Sequence, residues 1–173
     1  DIFAHIHGAG IEVGKALVMH EHTKAVGFTG SFGGGKQLFD WGNQRKVPIP
    51  VFSEMGSINP VFLLTGKLKS SSEEIAATYA GSITQGVGQF CTNPGLLIGI
   101  ESEDLQNFMK ILGKEIEKVA PAKRGHPCMA KAGEEKKDKA LQQKNVTMVS
   151  VSEIPKKENE GTPTVATAIG KDF

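Results

Sequence analysis

Lys24-Ala25-Val26-Gly27-Phe28-Thr29-Gly30-Ser31-Phe32-Gly33-Gly34-Gly35 passes from a short apolar run through a turn into a glycine-rich helix start. Lys24 to Phe28 reads as a strand. Ser31 is placed to cap a helix over Gly33 to Asn43, with Leu38, Phe39 and Trp41 facing the sheet. Upstream, Ile2 to Ile6 reads as a strand and Gly10 to His20 as a helix, with Val13, Ala16, Leu17 and His20 at helical spacing. Strand, helix, strand, helix is the order of an α/β protein. It predicts a parallel sheet with crossover helices, an architecture that binds nucleotides at the carboxyl ends of its strands.

Beyond this stretch, Pro48 and Pro50 mark an extended approach to a strand at Val51-Phe52-Ser53-Glu54, and Asn59 to Leu64 reads as another. Ser70-Ser71-Ser72-Glu73-Glu74 has the character of a capping box, and Ile75, Ala76, Tyr79, Ala80 and Ile83 supply the face of the helix that follows. That helix leads through Gly86-Val87-Gly88 to Cys91, and Leu96 to Ile100 returns as a buried strand. Leu105, Phe108, Met109, Leu112, Ile116 and Val119 recur at intervals of three and four, so Glu103 to Ala120 is an amphipathic helix with an ordinary core stripe. From Pro121 to Gly161 the composition turns polar. A solvated helix from Met129 to Lys144 and a strand from Val146 to Val151 fit there.

The 173 residues carry 20 Lys and Arg against 19 Asp and Glu, a formal net charge of +1. Charge so balanced provides no field for nucleic acid or an anionic membrane surface. The longest apolar runs, Val61 to Leu64 and Leu96 to Ile100, are too short to span a bilayer. Two cysteines supply no disulfide framework and suit a reducing, cytoplasmic setting. His5 with His7, and His20 with His22, are spaced as ligand pairs, but neither has a carboxylate or thiol to complete a set, so no metal site is expected.

Three segments carry candidate chemistry. Cys91 in Gly88-Gln89-Phe90-Cys91-Thr92 is a thiol between a glycine turn and a strand, where it serves either as a small hydrophobe or, as thiolate, as a nucleophile. Glu54 ends an apolar strand; burial there would raise its pKa and suit it to proton exchange near neutrality, whereas exposure would leave a solvated edge carboxylate. Gly30 and Gly33-Gly34-Gly35 would let backbone amides approach a pyrophosphate, with the Ser31 hydroxyl at the helix start. The glycine spacing is not the usual dinucleotide fingerprint. Cys128 has no comparable context and reads as a bystander.

Taken in order, Ala25-Val26-Gly27-Phe28-Thr29-Gly30-Ser31, Ser53-Glu54-Met55-Gly56-Ser57-Ile58-Asn59-Pro60 and Gly86-Val87-Gly88-Gln89-Phe90-Cys91-Thr92-Asn93-Pro94-Gly95 resemble the cofactor turn, glutamate segment and cysteine segment of the aldehyde dehydrogenase superfamily. The likeness runs from about His20 to Gly99. It is greatest to the 2,5-dioxovalerate (2-oxoglutarate semialdehyde) dehydrogenases. Gly56-Ser57, where most members carry two glycines, departs toward that branch and toward fatty aldehyde dehydrogenases.

The resemblance implies a parallel-sheet α/β fold that is incomplete in this chain. Residues 1–50 would be the C-terminal part of a dinucleotide-binding domain and 51–173 the N-terminal part of a catalytic domain. It implies Cys91 as the nucleophile that forms a thiohemiacetal and then a thioester, and Glu54 as the base that activates water for hydrolysis. NADP or NAD would lie at Gly30, Ser31, Gly35 and Met55, and the aldehyde, 2,5-dioxovalerate, would lie between Phe90 and Thr92. A long-chain fatty aldehyde is the rival substrate.

An acylating enzyme that hands its thioester to coenzyme A is a second reading, opposed by Glu54. A third is an inert folded module. The resemblance further implies an internal piece of a longer protein that forms dimers or tetramers when whole. Alone it is expected to be inactive, because the oxyanion asparagine, the ribose lysine and a downstream glutamate segment lie outside it.

Overall fold

The computed structural model describes residues 2–8 and 10–172. The chain divides into two compact units, residues 1–57 and 58–173. The strand that carries Glu54, expected beyond a boundary at 50/51, thus pairs within the first unit, which runs to residue 57.

In the first unit, α1 (Ile11–Met19), β1 (Val26–Thr29), α2 (Phe32–Gln44) and β2 (Val51–Glu54) follow one another. β1 and β2 are parallel, with Val26 opposite Val51 and Thr29 opposite Glu54, and α2 is the crossover. Ser31 caps α2 as its sequence predicts, accepting a hydrogen bond from Gly34 N at 3.2 Å.

The helix meets the strands differently from the expectation. Trp41 is buried, but Phe39 is half exposed and Leu38 only partly covered. Gly35 and Gly42, one heptad apart, make the close approach. A Cβ at Gly42 would lie 2.6 Å from Val51 Cγ2, and one at Gly35 would lie 2.8 Å from Met55 Cγ and Sδ. Glycine therefore lets α2 lie against the β2 segment, where a larger residue would force it away.

Arg45, just after α2, donates to Val18 O at 2.7 Å and Glu21 O at 3.4 Å, satisfying carbonyls at and beyond the end of α1. The strand expected at Ile2 to Ile6 does not form; residues 2–8 are irregular and exposed. A short apolar run has no ladder without a neighbouring strand to share its backbone hydrogen bonds.

The second unit begins with β3 (Pro60–Leu63), α3 (Thr65–Thr84), a 3₁₀ turn at Gln85–Gly88, β4 (Leu96–Gly99) and α4 (Glu103–Glu117). β3 and β4 are parallel, Pro60 opposite Leu96, and α3 is their crossover. α3 starts earlier than its capping-box sequence suggests. The signal survives as a kink, with Ser71 leaving helical geometry at φ −150° and ψ 30°. Ser102 caps α4 by accepting from Leu105 N at 3.2 Å, and Glu103 and Asp104 sit in the first turn, where the helix dipole favours anions.

β5 (Ala122–Lys123), α5 (Pro127–Leu141), β6 (Val146–Val151), β7 (Glu160–Gly161) and β8 (Thr164–Ala168) complete the unit. β5 pairs with β7 and β6 with β8, both antiparallel, the latter with an irregularity between Met148 and Ser150. α4 lies against β6 where Gly113 faces Ser150, whose hydroxyl donates to Gly113 O at 2.9 Å.

The charged stretch expected to be a solvated surface is partly cross-linked instead. Glu134 on α5 accepts from Lys137 and Lys156, each at 2.7 Å, and Arg124 is 3.9 Å away. Burial works to raise the Glu134 pKa, but the hydrogen bonds and charges of Lys137 and Lys156 outweigh it and hold the carboxyl below its ordinary value.

Leu63, Leu68, Ala76, Tyr79, Ala80, Phe108, Leu112 and Ile116 form the core of this unit, where α3 packs on α4. Phe108 is fully buried. Phe108→Ala removes a ring from close-packed surroundings and is expected to cost about 3–5 kcal/mol. Denaturant unfolding of the variant checks this; a loss below about 1 kcal/mol would show that the site collapses to fill the gap.

Candidate active site

The Cys91 loop joins α3 to β4. Gly86, Val87 and Gly88 all take left-handed backbone conformations, with φ of 58°, 59° and 69°. Glycine adopts this region freely, but the branched Val87 is strained there, and such strain persists only where surrounding structure over-determines it. Gly86 also leaves room for the Phe90 ring, which a Cβ there would approach to 2.5 Å. The turn thereby reverses the chain at the end of α3 and presents Phe90, Cys91 and Thr92 as consecutive exposed residues.

The exposed loop is anchored from beneath. Asn59 Nδ2 donates to Cys91 O at 2.9 Å and to Asn93 O at 3.1 Å. Asn93 Nδ2 donates to Ile83 O at 2.7 Å, and the Tyr79 hydroxyl donates to Pro94 O. Burial pushes the Tyr79 pKa up to about 12, so its proton stays in place as a donor at neutral pH. Sequence reading placed Tyr79 on a helix face and Asn59 at a strand start, and missed their shared task. Residue type and spacing do not reveal these contacts, and only the fold shows which carbonyls they reach.

In the first unit, Gly30, Ser31, Gly35, Glu54 and Met55 gather around the start of α2. Gly30 N donates to Glu54 O at 3.0 Å, extending the β1–β2 pairing by one residue, and Gly35 N donates to Ser31 O at 3.0 Å. Gly35 is buried, its amide is committed to the first turn of α2, and its missing Cβ makes room for Met55. A Cβ at Gly33 would meet no atom within 4 Å, so there is open space at that position, whereas the Phe28 ring lies against Gly30 and Gly34, where a Cβ would come within 2.6 and 2.9 Å of it. Small residues, open space and a capped helix N-terminus fit an anionic pyrophosphate.

Glu54 is exposed, so the burial argued from its apolar strand is not provided within this chain. Alternation along the paired strands puts Gly27, Thr29, Phe52 and Glu54 on the sheet face opposite the one under Val26, Phe28, Val51 and Ser53. The Glu54 end of this sheet borders an open cleft lined by Gly27 to Thr29 and Phe52 to Glu54.

Cys128 is exposed, and its amide donates to His126 Nδ1 at 3.2 Å, the cap of α5. His20 Nδ1 accepts from His22 N at 3.3 Å, and the His5 and His7 rings lie 4.2 Å apart. Among the described residues, no group of three or more His, Cys, Asp or Glu is placed to hold a metal ion. No described helix is long and apolar enough to cross a membrane.

Comparison with known proteins extends these observations. The chain is 45% identical over 117 residues to alpha-ketoglutaric semialdehyde dehydrogenase 2 of Azospirillum brasilense, covering 68% of this chain and 22% of that protein. It is also 45% identical over 103 residues to alpha-ketoglutaric semialdehyde dehydrogenase of Acinetobacter baylyi, covering 60% and 20%. The chain thus spans about a fifth of the length of these relatives.

A NAD-dependent benzaldehyde dehydrogenase from Corynebacterium glutamicum shares the fold, with a TM-score of 0.74 at 19% identity over 95% of this chain and 36% of that one. Proline utilization A of Bradyrhizobium japonicum does so with a TM-score of 0.73 at 18% identity, over 91% and 17%. The model of the aldehyde dehydrogenase family matches residues 1–146, and the chain belongs to that family.

Proposed function

We propose that the protein oxidises an aldehyde to a carboxylic acid with NAD or NADP, and that its substrate is 2-oxoglutarate semialdehyde (2,5-dioxovalerate). The observation that carries the reading is Cys91 held as an exposed thiol on a loop tied down at its carbonyls. The 45% identity to two alpha-ketoglutaric semialdehyde dehydrogenases supports the substrate.

In this mechanism Cys91 Sγ, as thiolate, adds to the aldehyde carbon between Phe90 and Thr92, and the carbonyl oxygen becomes the thiohemiacetal oxygen. NAD(P), when bound, would supply the two-electron oxidant, as hydride acceptor, by which the Cys91 thiohemiacetal becomes the thioester. Gly30 and Ser31 would hold its pyrophosphate at the N-terminus of α2, while Gly35 keeps α2 close to Met55. Glu54 takes a proton from water, which attacks the Cys91 thioester, releases the acid and leaves the thiol. Residues 1–57 serve as part of the cofactor domain and the second unit as part of the catalytic domain. The whole protein is a homo-oligomer of the cytoplasm.

The test is a steady-state assay of the product of the complete gene with 2-oxoglutarate semialdehyde and with a long-chain aldehyde, each with NAD and NADP. The expected result is 2-oxoglutarate formed in equal amount to reduced cofactor, with kcat/KM at least about tenfold higher than for the long-chain aldehyde, a discrimination of about 1.4 kcal/mol. Higher kcat/KM for the fatty aldehyde would overturn the substrate. Coenzyme A consumed as acyl acceptor would overturn hydrolysis.

A further inference from the structure

The two carbonyls that bracket the Cys91 turn end on one side chain. Asn59 lies immediately before β3, and the parallel pairing of Pro60 with Leu96 brings the segment leading into β3 beside the segment leading into β4. The half-buried Asn59 amide thereby reaches both Cys91 O and Asn93 O. An amide nitrogen carries two N–H bonds in one plane, so both contacts can be made at once from one atom.

Fixing the Cys91 carbonyl fixes the rigid peptide unit between Cys91 and Thr92. It therefore restrains ψ of Cys91 and the direction in which Cα carries the thiol. The other side of the loop is held from α3, by Tyr79 at Pro94 O and by Ile83 O, which accepts from Asn93. Without Asn59, two carbonyls would be left to solvent or to new partners, on a loop already strained at Val87.

We infer that Asn59 is a positioning residue for Cys91, its forked amide setting the orientation and reach of the thiol. The inference rests on Cys91 as the reacting group, but the geometry it describes can be measured without any dehydrogenase chemistry.

The chain has two cysteines, so Cys128→Ser leaves Cys91 as its one thiol. In that background, the rate of Cys91 alkylation by iodoacetamide is followed against pH for Asn59, Asn59→Ala, Asn59→Asp and Asn59→Ser, with Val61→Ala on β3 as a control for lost stability. Thermal unfolding on each variant confirms folding at the assay temperature.

Alanine, and aspartate as a carboxylate with no donor, are expected to change the pH-independent alkylation rate by about tenfold, on the scale set by small displacements of a reacting group. Serine, which keeps one donor, falls between them and the parent, and Val61→Ala stays within about twofold of the parent. In the complete gene product, Asn59→Ala is expected to lower kcat by about 10- to 100-fold with KM little changed.

Alkylation by the alanine and aspartate variants that matches Val61→Ala would overturn the inference, whatever their melting points. Should either variant unfold, the serine variant decides: a rate equal to the parent overturns the inference, and an intermediate rate supports it. Altered alkylation beside a complete gene product that oxidises no aldehyde would sustain the positioning role while sinking the dehydrogenase reading.

Discussion

Alanine at position 91 is expected to remove aldehyde oxidation from the complete gene product, with kcat lower by about 10³-fold or more and cofactor affinity within about twofold. Loss of the sulfur deletes the bond-forming atom itself, and no neighbouring side chain can take its place. Thr92 offers only a hydroxyl, a far weaker nucleophile at neutral pH. Cys128 lies at the start of α5 and is separately tied to His126.

The residues proposed to hold the cofactor, Gly30, Ser31 and Gly35, belong to the first compact unit and Cys91 to the second, so cofactor binding is expected to survive. Isothermal titration with NAD and NADP beside the kinetic assay checks both halves. Turnover within about tenfold of the parent would remove Cys91 from the nucleophile role.

The sequence carried the elements with strong period or strong punctuation. α4 was legible because Phe108, Leu112 and Ile116 repeat on one face, and those three are fully buried. α2 was legible at its start because a serine followed by small residues is a cap with a mechanism, yet its sheet-facing side was misread. Apolar residues were expected to face the sheet, whereas Gly35 and Gly42 do so because the close approach admits no side chain. β5 and β7 escaped because each is two residues long in polar sequence, and β8 because its short run Thr164-Val165-Ala166-Thr167-Ala168 pairs with a partner well upstream in the chain.

In the site, Cys91, Phe90 and Thr92 came together on one loop and Gly30, Ser31, Gly35, Glu54 and Met55 in one unit. The left-handed Val87 and the forked contact of Asn59 had no signal in composition or spacing. Val87 is a residue type that does not announce positive φ, and a lone asparagine before a strand is an ordinary sight. Both become visible only when the carbonyls around Cys91 have positions.

Glutamine at position 54 is expected to separate the two halves of the reaction. Addition of the Cys91 thiolate to the aldehyde does not require a base at Glu54, but hydrolysis of the thioester requires a proton to leave the attacking water. Glutamine keeps the size of the side chain and its reach into the cleft beside Thr29 and Phe52, and it can no longer accept that proton. Deacylation is therefore expected to slow by about 10²- to 10⁴-fold, the range for a positioned general base.

Rapid mixing of the complete gene product with aldehyde and NAD(P) should show a burst of reduced cofactor equal to the active thiol, followed by a slow steady state. Mass spectrometry should find the acyl group on Cys91 during that phase. The exposed position of Glu54 in the first unit sharpens the test, because a carboxylate that merely decorated a sheet edge would leave both phases as in the parent. Equal loss of burst and steady state would instead show that residue 54 serves acylation or binding, and the assignment of Glu54 as the base for water would fail.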